Sequence, residues 1–351
     1  MLNISDLSIE ELETYLVEKG HKKFHAKQIF KWVHKIGVES FDEMTDISKS
    51  LRDFLKENTY MTNLEVLDVQ KSKKDGTMKF LIELSDGNAV ESVFMKYNHG
   101  NTACVSTQVG CKMGCKFCAS TKAGFLRNLT VSEIEGQIWT LQKYSGEKIS
   151  NVVYMGIGEP LDNYDNAVGS IKIINDPMGL NIGARHISIS TCGIVPKIKE
   201  LADENIQCTL SISLHAVTDE KRRSIMPIAK RYDLNELLGA CKYYVMKTNR
   251  RISFEYALIA GVNDTKEDAR MLVKLLQNKL TNNLAHVNLI PVNELKDGEY
   301  VKSKEKDIEI FMNTVNISGI KATVRRELGS DIEAACGQLR RNHINKTKKE
   351  D

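Results

Sequence analysis

Proline is scarce, apolar runs are short, and neither sign of charge dominates. Five prolines in 351 residues leave no material for a long proline-rich linker. No apolar run reaches the eighteen or so residues that a membrane span needs. The opening stretch "MLNISDLSIEELE" is acidic where a targeting peptide would be basic. The expectation is a cytoplasmic protein with no membrane partner. A net charge of only +3 means that any polyanion must be met by local patches, not by the overall field. There is no low-complexity segment and no short repeat.

What remains is an ordinary folded composition, 42% hydrophobic and 27% charged, in a chain longer than the usual single domain. Residues 19–35, "KGHKKFHAKQIFKWVHK", carry six lysines and no acid, with Phe24, Phe30 and Trp32 interleaved. The C-terminal "CGQLRRNHINKTKK" adds five cations without an acid. Either patch alone reads as a solvated helix face or a tail; both are also local patches of the kind that a polyanion partner requires.

The pattern changes twice along the chain. Residues 1–60 predict helices, beginning with a Ser-x-x-Glu capping box in "SIEELETYLVEKG". From 64 to 96 the alternation in "LEVLDVQKS", "TMKFLIEL" and "AVESVFMKY" predicts strands, the last two joined through an Asp-Gly turn. Beyond lie six strand candidates, "ACVST", "VVYMG", "HISIS", "CTLSIS", "ISFEYAL" and "HVNLIP", each followed by a helix candidate. Six βα units imply a parallel sheet, either an incomplete barrel or a doubly wound sheet, and periodicity does not choose between them.

Cysteine is unevenly spent. Four of the eight lie within "CVSTQVGCKMGCKFCAS". In a reducing compartment such crowding points to metal or catalysis ahead of structural disulfides. Cys111, Cys115 and Cys118 follow the first strand with the spacing Cys-x3-Cys-x2-Cys. Three thiolates can hold a four-iron four-sulfur cluster with one iron left open. The alternative is a structural zinc site with Cys104 as the fourth ligand. The polar residues of "GIGEP", Ser190, "SLH" and Asn293 all fall at the carboxyl ends of predicted strands, the edge where parallel βα folds assemble their sites. Cys192, Cys208 and Cys241 read as small buried hydrophobes.

"CKMGCKFC" resembles the cysteine fingerprint of the radical S-adenosylmethionine (SAM) superfamily. The resemblance implies a six-unit βα partial barrel and reductive cleavage of SAM to a 5'-deoxyadenosyl radical by the cluster. It also implies that Phe117 lies beside the adenine of SAM. Gly158 and Glu159 would then sit near the methionyl amino group, with Ser190, Ser213, Leu214, His215 and Asn293 around the rest of the cofactor.

The set "CVSTQVGCKMGCKFCAS", "MGIGEPLDN", "SISLHA", "LIPVN" and "GSDIEAACGQLRR" is similar to the bacterial dual-specificity RNA methyltransferases acting on carbon 2 of adenosine in 23S rRNA and certain tRNAs. The resemblance implies that Cys336 carries a methyl group taken from one SAM. It makes Glu91 the base and Cys104 the thiol that resolves the enzyme–RNA adduct. An electron donor for the cluster is implied, and a monomer is expected. The expected division is an N-terminal RNA-binding part over residues 1–96, a radical SAM core over 97–330, and a carrier segment with a basic tail over 331–351. Two alternatives stay open from the residues: a carbon-8 methyltransferase conferring antibiotic resistance, with the same cysteine set, and a non-catalytic zinc and RNA-binding protein.

Overall fold

The computed structural model describes residues 1–280, 284–292, 300–329 and 331–332. Asn293, Cys336 and the basic tail lie outside the described residues.

The N-terminal stretch forms helices because its apolar residues recur every three or four positions. A short strand β1 (Leu2–Asn3) leads into α1 (Ile9–Glu18), where Ser8 and Glu11 close the expected capping box. Then come α2 (His25–Lys31), a π-helical turn over Trp32–Ile36, and α3 (Lys49–Asn58), followed by β2 (Thr59–Tyr60), which pairs with β1. Leu12, Leu16, Ile29, Phe30, Leu51 and Leu55 bury against one another in a small separate core. All six lysines of residues 19–35 are exposed. The aromatics of that stretch divide: Phe30 enters the core, Trp32 bonds Asp46 at its rim, and Phe24 is exposed.

Alternating and apolar runs build the rest. The strands β3 (Glu65–Lys71), β4 (Met78–Glu83) and β5 (Ala89–Tyr97) form an antiparallel meander, with Gly87 at φ 76° in the β4–β5 turn. This meander does not belong to a separate N-terminal part, contrary to what the expected boundary at residue 96 implies. The strand β5 pairs with β6 (Gly100–Cys104), so the three strands extend the central sheet. A short pair, β7 (Gln108–Gly110) and β8 (Phe125–Asn128), precedes α4 (Val131–Ser145). The alternation continues through β9 (Asn151–Tyr154), α5 (Tyr164–Asn175), β10 (Ile187–Thr191), α6 (Val195–Asp203), β11 (Thr209–Ser213), α7 (Asp219–Ile225) and α8 (Leu234–Thr248). It ends with β12 (Ile252–Leu258), α9 (Lys266–Lys279), β13 (Ala285–Pro291), α10 (Glu305–Ile317) and β14 (Lys321–Val324). All six expected parallel strands are present in that order, and β14 adds a seventh, unforeseen because "KATV" is short and half exposed.

The ten-stranded sheet runs from β14 at one edge to β3 at the other. Beyond β14 the chain reaches across to the opposite side: Asp75, in the β3–β4 turn, accepts the Gly329 amide, and Asp331 bonds Ser72 and the Lys73 amide. In a flat sheet eight strand spacings, roughly 38 Å, would separate β14 from β4. Five residues of chain span at most about 18 Å. The sheet is therefore curled, as the partial-barrel expectation requires. Among the described residues no helix is long and apolar enough to cross a membrane.

Candidate active site

The cysteine loop is defined by its base. Gly110 holds φ 79°, and a Cβ there would lie 1.7 Å from the Gly124 carbonyl oxygen, so no other residue lets β7 and β8 close around residues 111–124. Within the loop the Cys118 amide bonds the Cys115 carbonyl, and the Thr121 hydroxyl donates to the Cys118 carbonyl at 2.9 Å. The Lys116 amide donates to the Ile225 carbonyl at the end of α7, which braces the loop from below. Cys111, Cys115 and Cys118 are all unbridged.

These three cysteines line one cavity of about 270 Å³ together with Phe117, Gly158, Glu159, Ser190, Ser213 and His215. Nine of the residues singled out from sequence thus converge from four separate stretches of chain. Leu214 is fully buried behind them, its amide donating to the Glu255 carbonyl. Gly158, at φ 109°, passes so close to Gln108 that a Cβ would lie 2.7 Å from it.

Two polar wall residues, Glu159 and His215, are held by backbone amides. The Glu159 carboxylate accepts the Leu161 amide at 3.0 Å and the Cys192 amide at 2.7 Å, while burial pushes its pKa up. His215 sits at φ 56°, and its Nδ1 accepts the Ala257 amide at 2.8 Å. Burial and the nearby Arg222 drive its pKa down to about 3, so the ring is neutral and carries its proton on Nε2. Its edge meets the Phe117 ring at a centroid distance of 4.7 Å.

The three thiols fit a cluster. Burial pushes Cys111 up to about 12 and Cys115 higher still, and each of the two is raised further by neighbouring thiolates of the set. Three ionised sulfurs in such a place need compensating positive charge, which iron supplies. A single zinc ion would need a fourth ligand drawn to one point. Cys104, the expected fourth ligand, does not line this cavity with the others.

Cys104 belongs to a second constellation. Register places Lys79, Val93 and Cys104 in one row across β4, β5 and β6, and Glu91 lies two residues from Val93, hence on the same face. All three polar groups are buried, and Lys79 Nζ stands 3.8 Å from Glu91 Oε1. Burial raises the Cys104 thiol to about 11, while Arg325 and a bond from the Met155 amide pull the other way. Arg325, just past β14, lines the cavity, and its Nη1 lies 4.0 Å from Met155 Sδ.

Sequence reading missed Lys79, Arg325 and Glu255. Glu255 lines the cavity and accepts bonds from Ser253 and Asn288 at 2.8 and 2.7 Å. An acid inside the mostly apolar strand "ISFEYAL" is the available signal; Arg325 has none, because the strand that delivers it is itself unforeseen.

Comparison with known proteins agrees with this architecture. The family described as Ribosomal RNA large subunit methyltransferase N-terminal domain matches residues 2–61, and the Radical SAM superfamily matches 105–276. A probable dual-specificity RNA methyltransferase RlmN of Clostridium perfringens (strain SM101 / Type A) is 58% identical, covering 98% of each chain. One of the same description from Clostridium tetani is 53% identical, covering 100% of this chain and 99% of that one. The crystal structure of a radical SAM methyltransferase from Sphaerobacter thermophilus superposes with a TM-score of 0.89 at 39% identity, covering 96% of this chain and 99% of that chain. With this identity over nearly its whole length, and with the cysteine loop, the cavity and the curled sheet in place, the chain belongs to the dual-specificity RNA methyltransferases of the radical SAM superfamily.

Proposed function

We propose that the chain methylates carbon 2 of an adenosine in 23S rRNA and in certain tRNAs through a methyl-cysteine at Cys336, using two SAM per turnover. The observation that carries this reading is the convergence of the three-cysteine loop and the strand-end residues on one cavity beside a buried Lys79, Glu91 and Cys104. The radical SAM family uses a four-iron four-sulfur cluster and SAM, and Cys111, Cys115 and Cys118 are the residues that would hold the cluster. When bound, the cluster supplies the electron that cleaves SAM reductively to a 5'-deoxyadenosyl radical.

The remaining work falls to the chain. Glu159 holds the methionyl amino group, Phe117 flanks the adenine, and Ser190, Ser213, Leu214, His215 and Asn293 surround the rest of SAM. A neutral His215 adds no charge to repel the sulfonium. Adenine carbon 2 is electron-poor and cannot displace a methyl from a sulfonium, whereas a Cys336 thiolate can, so the carbon travels on sulfur first. Once that carbon is joined to the base, Glu91 removes the ring proton. Cys104 then attacks the Cys336 sulfur, forming a disulfide and releasing the methylated base. Asp331, tied to Ser72 and Lys73, anchors the chain five positions before Cys336.

In the same reading the helical stretch at the start of residues 1–96 serves RNA binding while its strands β3–β5, joined to the central sheet, bring Glu91 to the reaction; 97–330 serves the radical chemistry and 331–351 the methyl transfer. The exposed lysines of 19–35 and the basic tail meet phosphates, and an adenosine is drawn out of its stack into the cavity. The protein works as a monomer in the cytoplasm with an external electron donor. The test is incubation with methyl-labelled SAM followed by peptide mapping and by mass-spectrometric identification of the methyladenosine isomer. Label on Cys336 and on adenine carbon 2 is the expected result; label on carbon 8, or bound zinc without SAM turnover, overturns it.

A further inference from the structure

Arg222 is the first residue of "RRS" on α7, and in sequence it looks like any surface cation of a polar helix. In the fold it is fully buried. Its Nε donates to the Leu214 carbonyl at 3.2 Å, and its Nη2 donates to the carbonyls of Cys192 at 2.7 Å and Ser213 at 3.3 Å. Its Nη1 has no hydrogen-bond partner, and among the described residues the guanidinium forms no ion pair. The acids around it are otherwise engaged. Asp219, one turn earlier on α7, accepts the Leu234 amide, and Glu159 accepts the amide of the same Cys192 whose carbonyl Arg222 holds.

A buried cation bound only to neutral carbonyls is less stable than an apolar residue of the same volume, so fold stability alone does not account for it. Its position does. The helix that carries Arg222 ends at Ile225, whose carbonyl holds the Lys116 amide inside the cysteine loop. Cys115, Cys192, Ile225 and Met226 pack in one apolar cluster. Cys115 is thus braced by the element that buries the charge.

We propose that Arg222 is a positioning residue that sets the electrostatics of the cysteine loop: a fixed positive charge beneath it that favours both thiolate ligation and reduction of the cluster. The proposal rests on the reading of Cys111, Cys115 and Cys118 as cluster ligands. One electron taken from an external reductant makes the thiolate-bound cluster more negative by one unit. In a low-dielectric interior a nearby guanidinium stabilises that added charge, whereas a neutral residue does not.

The experiment compares full-length wild type, R222Q and R222K, each reconstituted anaerobically with iron and sulfide and titrated with dithionite while the reduced cluster is followed by EPR. Thermal unfolding of the cluster-free chains runs alongside. R222Q removes the charge and keeps an amide donor. Its equilibrium constant for reduction is expected to fall about tenfold, a shift of about 59 mV for a one-electron couple. R222K keeps the charge and loses the planar fork. It is expected to unfold at a lower temperature yet retain the wild-type potential. A wild-type potential in R222Q, or an equal fall in R222K, overturns the proposal. Should R222Q not fold, R222K decides alone: a retained potential supports the proposal and a tenfold fall overturns it. A wild-type chain that takes up no EPR-active cluster instead defeats the ligand reading, and Arg222's role falls with it.

Discussion

The cysteine loop and the Lys79, Glu91 and Cys104 group place their reactive atoms by different means. Residues 111–124 hang from a two-strand base, and their three thiols are held by turns, by one hydroxyl and by the end of α7. Lys79, Glu91 and Cys104 stand on three adjacent strands, their spacing set by the ladder itself. A loop can adjust to the size of the group it binds. A strand register cannot shift by one residue without turning every side chain to the other face. On the proposed reading, binding an inorganic group tolerates the first arrangement, and moving a proton and exchanging a disulfide require the second.

The sharpest way to break the comparison is to cut one ligand. Cys115→Ala is expected to abolish iron retention and SAM cleavage together, since two thiolates do not hold the cluster, while the curled sheet stays folded by circular dichroism. Iron bound at the wild-type ratio in this variant would show that the loop is not the ligand. Cys104→Ala is expected to separate the two regions cleanly. Iron content and 5'-deoxyadenosine formation stay at wild-type levels, while RNA accumulates covalently on the protein, visible as a shifted band on a denaturing gel. Release of methylated RNA at the wild-type rate would remove Cys104 from the mechanism.

The same contrast explains what was legible in the sequence. The six parallel strands were, because buried strands are written as apolar runs, and the fingerprint cysteines were, because their spacing is local. The β7–β8 base was not: three and four residues leave no periodicity, and its one signal, Gly110, is shared with every turn glycine. The joining of β3–β5 to the central sheet was also hidden, since a hairpin's partner strand is a matter of tertiary pairing. Lys79, in the middle of "TMKFLIEL", looks like the solvent side of an alternating strand, yet it is buried because both faces of that strand are covered. Arg222 and Arg325 carry no local mark at all.

Glu91→Gln sharpens the comparison on the strand side. An amide preserves shape and burial but accepts no proton, so turnover is expected to drop by roughly a hundredfold or more, the usual worth of a positioned general base. Methylation of Cys336 stays unchanged, measured by peptide mapping after a single exposure to labelled SAM. A drop in both would mean that Glu91 supports the fold or the first transfer instead.

The smallest effect concerns pH at the Cys104 thiol. Burial holds its pKa near about 11, so below that value the thiol is protonated, and only the thiolate attacks a sulfur. The thiolate fraction therefore grows about tenfold per pH unit as pH rises toward that value. Where resolution limits turnover, release of methylated RNA is expected to accelerate between pH 7 and pH 9, whereas formation of 5'-deoxyadenosine, which on the proposed reading depends on the loop and not on Cys104, is expected to stay comparatively flat. Arg325→Met removes the cation that opposes the effect of burial, and it is expected to move the acceleration to higher pH, slowing release several-fold at pH 8. Parallel pH profiles for release and for SAM cleavage, in both chains, would dissolve the distinction between a strand-fixed nucleophile and a loop-held cluster.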